Sequence, residues 1–307
     1  MEQFVIDRPK VTIGICVKNG AVTIADAIES LIKQDFPHKF MEAIFVDDGS
    51  EDNTLSVIQR YIPKLDMQVR LFHHQWKGLG VSRNVVVDNA AGDYIIWVDS
   101  DMTLAPDFVS RQVEFMKHNS ETGVGKGQYG ICAQDSWVGD LENVEFVVAH
   151  FRRREKTNSV PFGTGGSIYR VKAIRQVGGF DQNIKGSGED VDAESRLKTA
   201  GWQLAATSAV FYERRRGTWK SLWSEYFWHG KGSSNFFDKN RQMVHSYSLW
   251  PPALIAIELF RMIMAYKLTH RKVVLLLPIH YIFKRTAWFL GFVKNIVKKN
   301  HAKLVKI

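Results

Sequence analysis

The sequence predicts an α/β protein: a mostly parallel sheet flanked by helices over residues 1–240, then a helical tail over residues 241–307. Three observations carry that expectation. Short apolar runs alternate with helical patterns through the N-terminal third. Carboxylates gather where those runs end. The tail is both apolar and basic, unlike the rest of the chain.

The elements follow in order. "KVTIGICV" (10–17) is a β-type run, broken by "KNG" and followed by a helical pattern from Ala21 to Gln34. "MEAIFV" (41–46) is a second run, ended by "DDGSEDNT" and a helix to about Tyr61. "MQVRLFHH" (67–74) is a third, "GVSRNVVVDNA" (80–90) a helix, and "DYIIWV" (93–98) a fourth strand. Such alternation argues for parallel strands joined by helices on both faces. After Pro106 the rhythm changes. A helix over 107–118 leads to a Gly-interrupted strand in "GVGKGQYGICAQ", then to a charged helix ending in "HFRRREK". "VPFGTGGSIYR" (160–170) reads as a glycine-rich turn before a strand, and "SGED" as a helix N-terminus.

In open parallel sheets, ligands bind beyond the carboxyl ends of the strands. Asp47, Asp48, Asp99 and Asp101 all fall there. Asp99 and Asp101 stand two apart, so on extended chain they point the same way. Two such carboxylates repel unless a cation lies nearby. Mg²⁺ or Mn²⁺ suits them, since hard cations take one or two carboxylates together with substrate phosphates. The same pattern is also that of a turn, because Asp, Ser and Pro are turn-formers. At Asp47 and Asp48 a carboxylate can accept from a nucleobase N–H. Ser50 or Asp52 capping the next helix accounts for those two residues and leaves 47 and 48 to be explained.

The net charge of +9 belongs to the tail. Between Arg261 and Ile307 there are 11 Lys and Arg and no acid, which leaves 30 bases against 32 acids elsewhere. The body therefore gives no nucleic-acid signal, and a basic tail rich in Leu, Ile, Phe and Trp fits a membrane surface. Residues 248–268 and 272–293 are each about as long as a bilayer crossing, on the order of 20 residues. Charges interrupt both: Glu258 and Arg261 in the first, Lys284 and Arg285 in the second. That pattern favours helices lying in the interface over clean spans; a short hairpin and a soluble helical partner surface stay open. Cys16 and Cys132 have no metal-type spacing and read as small buried hydrophobes of a reducing compartment. The segment "MEQFVIDRPK" lacks the apolar core of a secretory signal.

The ordered set "VTIGICVKNG", "IFVDDGSEDNT", "GVSRNVVVDNAAGDYIIWVDSDM", "GTGGSIYR", "GGFD" and "GEDVDAESRL" resembles family 2 glycosyltransferases with the GT-A fold, over roughly residues 10–235. The resemblance implies inverting transfer from a nucleotide-diphosphate sugar, UDP- or GDP-linked, with a divalent metal. It implies that Asp48, with Asp47 beside it, contacts the base. Asp101 would ligate the metal and Asp99 would contact sugar or ribose. Cys16, Val17 and Lys18 would form the entrance after the first strand, and Arg83 would face the diphosphate. Asp190 would be the catalytic base, with Glu189 beside it. Gly165 and Gly166 lie in a turn that lets backbone approach a ligand, though a plain turn accounts for them equally. Arg216 and Trp219 are similar to the family's segment near diphosphate and acceptor, but "RRRGTWKSLW" departs from the spacing of processive polymerases. A solvated basic face is the plainer reading there. The histidines show no metal-ligand spacing and read as structural. The expected acceptor is a glycan or lipid-linked hydroxyl or phosphate, and the expected location is the cytoplasmic side of the cell membrane. A nucleotidyltransferase and a non-catalytic nucleotide-sugar-binding module are the alternatives. "VKNGAVT" makes a poor phosphate cradle for the first, and intact acids at 99, 101 and 190 argue against the second.

Overall fold

The computed structural model of the chain describes residues 10–154, 161–184, 187–239 and 251–304. The segment tested for a leader, the end of "HFRRREK" and the start of the 248–268 stretch lie outside them, in whole or in part. The elements are β1 (Val11–Val17), α1 (Ile24–Ile32), β2 (Met41–Asp48), α2 (Thr54–Tyr61), β3 (Gln68–His74), α3 (Leu79–Asn89), β4 (Tyr94–Trp97), β5 (Met102–Leu104), α4 (Phe108–His118), β6 (Thr122–Tyr129), α5 (Trp137–Arg154), β7 (Ser167–Arg170), α6 (Val171–Gln176), α7 (Glu189–Thr199), β8 (Gln203–Glu213), α8 (Trp219–Lys239), α9 (Pro251–Thr269) and α10 (Leu277–Leu304). They form two compact units: Met1–Gly130, Arg153–Gln182 and Asp190–Glu213 make one, and Ile131–Arg152, Asn183–Glu189 and Arg214–Ile307 the other. The second unit thus begins before residue 241 and recruits α5.

The first unit holds an eight-stranded sheet in the order β3-β2-β1-β4-β7-β6-β8-β5. β3, β2, β1 and β4 run parallel, in register from Val11↔Met41 and Val11↔Tyr94. Every residue of β2 is buried, as expected of a parallel strand covered on both faces. Beyond β4 the expectation of a mostly parallel sheet needs correcting. β7 pairs antiparallel with both β4 and β6, β5 pairs antiparallel with β8, and β6 and β8 run parallel. The sheet is mixed although helices still separate the strands after α4, because β7, which enters from the glycine-rich turn, runs against both of its neighbours.

One core lies under α1, α2 and α4, the other under α3, α6 and α7. In the second, Trp97, Tyr169 and Phe180 meet edge to face or stacked at 5.5–6.2 Å. Glu42, buried in β2, is satisfied by Thr12 Oγ1 at 2.5 Å, Arg70 Nη2 at 2.5 Å and the Ala91 amide at 2.6 Å. Asn84 of α3 donates to the Phe180 carbonyl and accepts from its amide, both at 2.8 Å, which fixes "GGFD" against the helix.

In the second unit, α8 and α10 cross where Gly230 abuts the Trp288 carbonyl and Gly291 abuts that of Phe227; a Cβ at either would collide. Leu141, Val144 and Val148 of α5 pack with Ala265, Val274 and Leu277. The charges read as interruptions of the tail point inward. Lys284 is buried, with Nζ 2.8 Å from Glu142 and 2.6 Å from Glu145 of α5. Arg261 pairs with buried Glu258 at 2.5 Å. Arg285 alone of the four stays exposed, its Nε donating to the Tyr281 hydroxyl at 2.7 Å.

Candidate active site

The loops leaving the carboxyl ends of β1, β2 and β4 meet. Asn19, at φ 55°, donates its amide to Ser50 Oγ at 2.9 Å and accepts from the Glu51 amide at 2.8 Å. Gly20 donates to Thr54 Oγ1 at 2.8 Å and leaves no room for a Cβ, which would stand 2.8 Å from Ser100 Oγ. Ser100 lies between Asp99 and Asp101, so the first loop seats the D-x-D segment. Lys18 reaches the Gly49 carbonyl at 3.1 Å, while Cys16 is half-buried and in no disulfide.

Asp47 and Asp48 are buried and bonded to the chain itself. Asp47 Oδ1 accepts from the Ser50 amide at 3.0 Å and hydroxyl at 2.5 Å, and its Oδ2 lies 3.0 Å from His73 Nδ1. Asp48 accepts from the amides of Lys77 at 2.7 Å and Gly78 at 3.0 Å and lies 3.3 Å from His74 Nδ1. The pair therefore shapes the two loops that open onto this edge of the sheet. Both histidines take part.

The glycine-rich turn joins the other two acids. A Cβ on Gly163 would stand 3.2 Å from Asp190 Oδ2, and one on Gly165 would stand 2.6 Å from Asp99 Oδ2. Gly163 at φ +83° and Gly166 at φ +67° adopt left-handed backbone that favours glycine. The turn is pinned by the Gly166 amide on the Trp97 carbonyl at 2.9 Å and by Ser167 Oγ on the Gly163 carbonyl at 2.7 Å. Buried Lys126 of β6 donates to the Gly165 carbonyl and reaches that of Gly163 at 3.5 Å. Asp190, half-buried at the start of α7, accepts from the Val191 amide at 2.8 Å. Asp99 and Asp190 thus flank one short turn held by a lysine, and Asp101 follows Asp99 at the start of β5.

One turn along α7, Glu194 is fully buried. It accepts from Tyr169 Oη at 2.6 Å and from the Phe162 amide. Burial, with Asp190 nearby, raises its carboxyl to about 7, against the pull of Lys126. Burial and Glu194 hold the Tyr169 phenol well above its ordinary range, and Arg83 acts the other way. Arg83 itself is buried, its guanidinium 5.6 Å over the Phe180 ring. Lys126 and Glu194 escape the sequence reading, yet each leaves a trace: a lysine between glycines in a strand, and an acid four residues after Asp190 on one helix face.

Glu189, Arg216 and Trp219 belong to the second unit. Glu189 is buried, Arg216 pairs with Glu225 at 2.8 Å, and the Trp219 ring packs on Trp137 and Phe283. Among the described residues one group brings three metal-type ligand atoms within 4.8 Å: Glu142, Glu145 and His280. The Lys284 ammonium sits on both of its carboxylates, so the group is a buried ion network. For a hard cation the all-oxygen pair Asp99 and Asp101 is chemically better suited.

The sequence model of "Glycosyl transferase family 2" matches residues 12–178, more than half of the chain. The chain belongs to glycosyl transferase family 2. Among relatives of this family 2 glycosyltransferase, the poly(ribitol-phosphate) β-N-acetylglucosaminyltransferase TarS of Staphylococcus aureus is 34% identical over 104 residues, 34% of this chain and 18% of TarS. The succinoglycan biosynthesis protein ExoA of Rhizobium meliloti is 27% identical over 258 residues, 76% of this chain and 73% of ExoA. Among solved structures, the mannosyltransferase PcManGT of Pyrobaculum calidifontis, in complex with GDP-Man and Mn²⁺, superposes with a TM-score of 0.64 at 18% identity, over 95% of this chain and 88% of PcManGT. TarS residues 1–349 in complex with UDP-GlcNAc superpose at 0.51 and 16% identity, over 96% and 92% of the two chains. These likenesses establish the GT-A-like fold. The chain spans less than a fifth of TarS in the sequence match. Family membership favours glycosyl transfer over nucleotidyl transfer.

Proposed function

We propose that this family 2 enzyme transfers a sugar, with inversion, from a UDP- or GDP-linked donor to a hydroxyl or phosphate acceptor on a lipid-linked or surface glycan. The observation that carries the reading is the turn Gly163–Gly166, which places the carboxylates of Asp99 and Asp190 at its two ends. A donor bound over Asp99 and an acceptor beside Asp190 would then be neighbours. Inversion needs the acceptor oxygen to attack from the face opposite the leaving nucleotide. Asp190 Oδ2, turned toward glycine backbone, takes the acceptor proton as the new bond forms. Asp101 with Asp99 would hold Mg²⁺ or Mn²⁺, which when bound offsets charge on the departing diphosphate. Lys126 keeps the turn rigid by tying down two of its carbonyls, so that the two carboxylates keep their spacing. PcManGT and TarS were solved with GDP-Man and UDP-GlcNAc, which supports a nucleotide-diphosphate sugar for this chain. The basic, apolar C-terminal helices would hold the enzyme at the cytoplasmic side of the cell membrane.

The test is thermal unfolding with UDP or GDP in the presence of Mn²⁺ or Mg²⁺. A ligand that binds only the native state raises the melting temperature. One of the two nucleotides is expected to do so with metal, and Asp101→Ala is expected to abolish both the shift and its metal requirement. No shift with either nucleotide would refute the donor assignment.

A further inference from the structure

α9 and α10 invert the pattern of a water-soluble helix pair. Among the described residues, 19 large apolar side chains are exposed, and 14 of them lie between Ile257 and Val297. On α10, Ile279, Ile282, Phe289, Leu290, Val293 and Val297 are all exposed and recur at three- or four-residue steps with one gap, so they share one face. Several charged and polar groups of this segment turn the other way. His280 and Lys284 are buried against Glu142 and Glu145, Glu258 is buried against Arg261, and Arg271 meets Asp140 of α5 at 3.2 Å. The burial cost of Glu142 is outweighed by the Lys284 ammonium and His280, which hold its carboxyl well below the usual range. The lysine that breaks the apolar run in sequence is therefore neutralised inside the fold and does not interrupt the outward face.

The exposed charges that remain are basic. Lys267 and Lys272 flank the junction of the two helices, Lys294 and Lys298 lie towards the other end, and Arg285 is held by Tyr281. No acid occurs from Arg261 onward. An apolar stripe of this extent is a liability in water, whereas hydrocarbon satisfies it and anionic headgroups suit its basic ends. By length and composition, Lys272–Lys298 is able to cross a bilayer. A crossing would, however, carry the inner face of α10 and its bonded α5 carboxylates to mid-membrane, where charge is costly. Lying in one leaflet avoids that.

We propose that the outward face of α9–α10 is sunk in the hydrocarbon of one leaflet, so that apolar burial rather than lipid charge sets membrane binding. This deepens the membrane reading above and is independent of the donor reading.

The experiment is flotation of the full chain with vesicles of pure phosphatidylcholine and of phosphatidylcholine with phosphatidylglycerol. Each is run at low salt and at 1 M salt, where the screening length falls to about 3 Å. The chain is expected to float with both vesicle types and to stay bound in 1 M salt. Ile279→Asp combined with Phe289→Asp is expected to lower binding to neutral vesicles by about tenfold or more, since a carboxylate at membrane depth costs more than the side chain it replaces gains. Lys267→Gln with Lys272→Gln is expected to reduce only the preference for the anionic vesicles. Binding that needs phosphatidylglycerol and is released by salt would overturn insertion and leave a peripheral electrostatic contact. Failure to float with any vesicle would overturn the membrane reading as well. A lipid-free dimer split by Ile279→Asp would assign the face to a second copy of the chain.

Discussion

Gly165 lies against Asp99 so closely that a Cβ on the glycine would stand 2.6 Å from Asp99 Oδ2 and 2.5 Å from Met102 Cε. Both atoms are the far ends of side chains, and half-buried Asp99 is freer to turn away than Met102, which is buried in β5. Gly165→Ala therefore pushes the Asp99 carboxylate. The expected result is a loss of about tenfold or more in metal-dependent affinity for whichever nucleotide binds the wild type, as small displacements at a positioned group are costly. The melting temperature of the free protein is expected to fall by only a few degrees, in line with overpacking costs of about 1–3 kcal/mol. Unchanged nucleotide affinity would count against Asp99 as a donor contact.

Asp190→Asn separates binding from chemistry. The amide keeps the shape at the start of α7 and can still accept from the Val191 amide, now at 2.8 Å. It cannot take a proton. Nucleotide affinity is expected to stay near wild type while transfer falls by roughly 10² or more, the usual scale for a lost general base. Transfer near the wild-type rate would move the base elsewhere, and Glu189 would be tested next.

The parallel half of the sheet is legible in sequence because each of its strands is one apolar run ended by polar residues. β1 to β4 fall within a residue or two of the expected spans. In the other half β6 and β7 are legible as the Gly-interrupted run and the strand after the glycine-rich turn, but the antiparallel pairing of β7 is not, and β5, three residues long, is too short for periodicity to register. The acids at 99, 101 and 190 stand out because they are carboxylates next to buried segments. Lys126 and Glu194 do not, because their role lies in tertiary contacts: one bonds carbonyls 37 and 39 residues away, the other a phenol 25 residues back. The tail shows the same limit more sharply. Its charges look like interruptions of an apolar run until α5 supplies their partners from 142 residues away.

Glu194→Gln tests the buried acid through pH. Its folded-state value of about 7 lies above the ordinary carboxylate range. The folded state therefore binds more protons than the unfolded one between the two values, so this group lowers stability as pH rises from about 4.5 to 7. The glutamine variant keeps its carbonyl oxygen for the Phe162 amide or the Tyr169 hydroxyl and removes the titration. Its stability relative to wild type is expected to increase across that window, by on the order of 2–3 kcal/mol at the upper end. A relative stability independent of pH between 5 and 8 would show that Glu194 does not titrate there.

Lys284→Met tests the ion network of the second unit. Glu142 is buried and Glu145 half-buried, and both are held below the usual carboxylate range, because the nearby Lys284 ammonium and His280 outweigh burial. In the wild type their contribution is present above about pH 4.5 and is lost as acid protonates them. Without the ammonium the two carboxylates face each other with His280 and the Tyr226 hydroxyl, which donates to Glu142 at 2.6 Å. Removing one partner of a buried ion pair costs about 3–5 kcal/mol, so a large fall in melting temperature is expected at pH 7. The pH dependence should also invert: protonation now relieves repulsion and desolvation, so the deficit against wild type should shrink as pH falls from 7 to 5. Adding Glu142→Gln and Glu145→Gln to Lys284→Met should recover much of the loss at pH 7, since a neutral set carries no unpaired charge. A single variant that melts like wild type at pH 7 would mean that these ions are solvated and that the inner face of α10 is not sealed against α5.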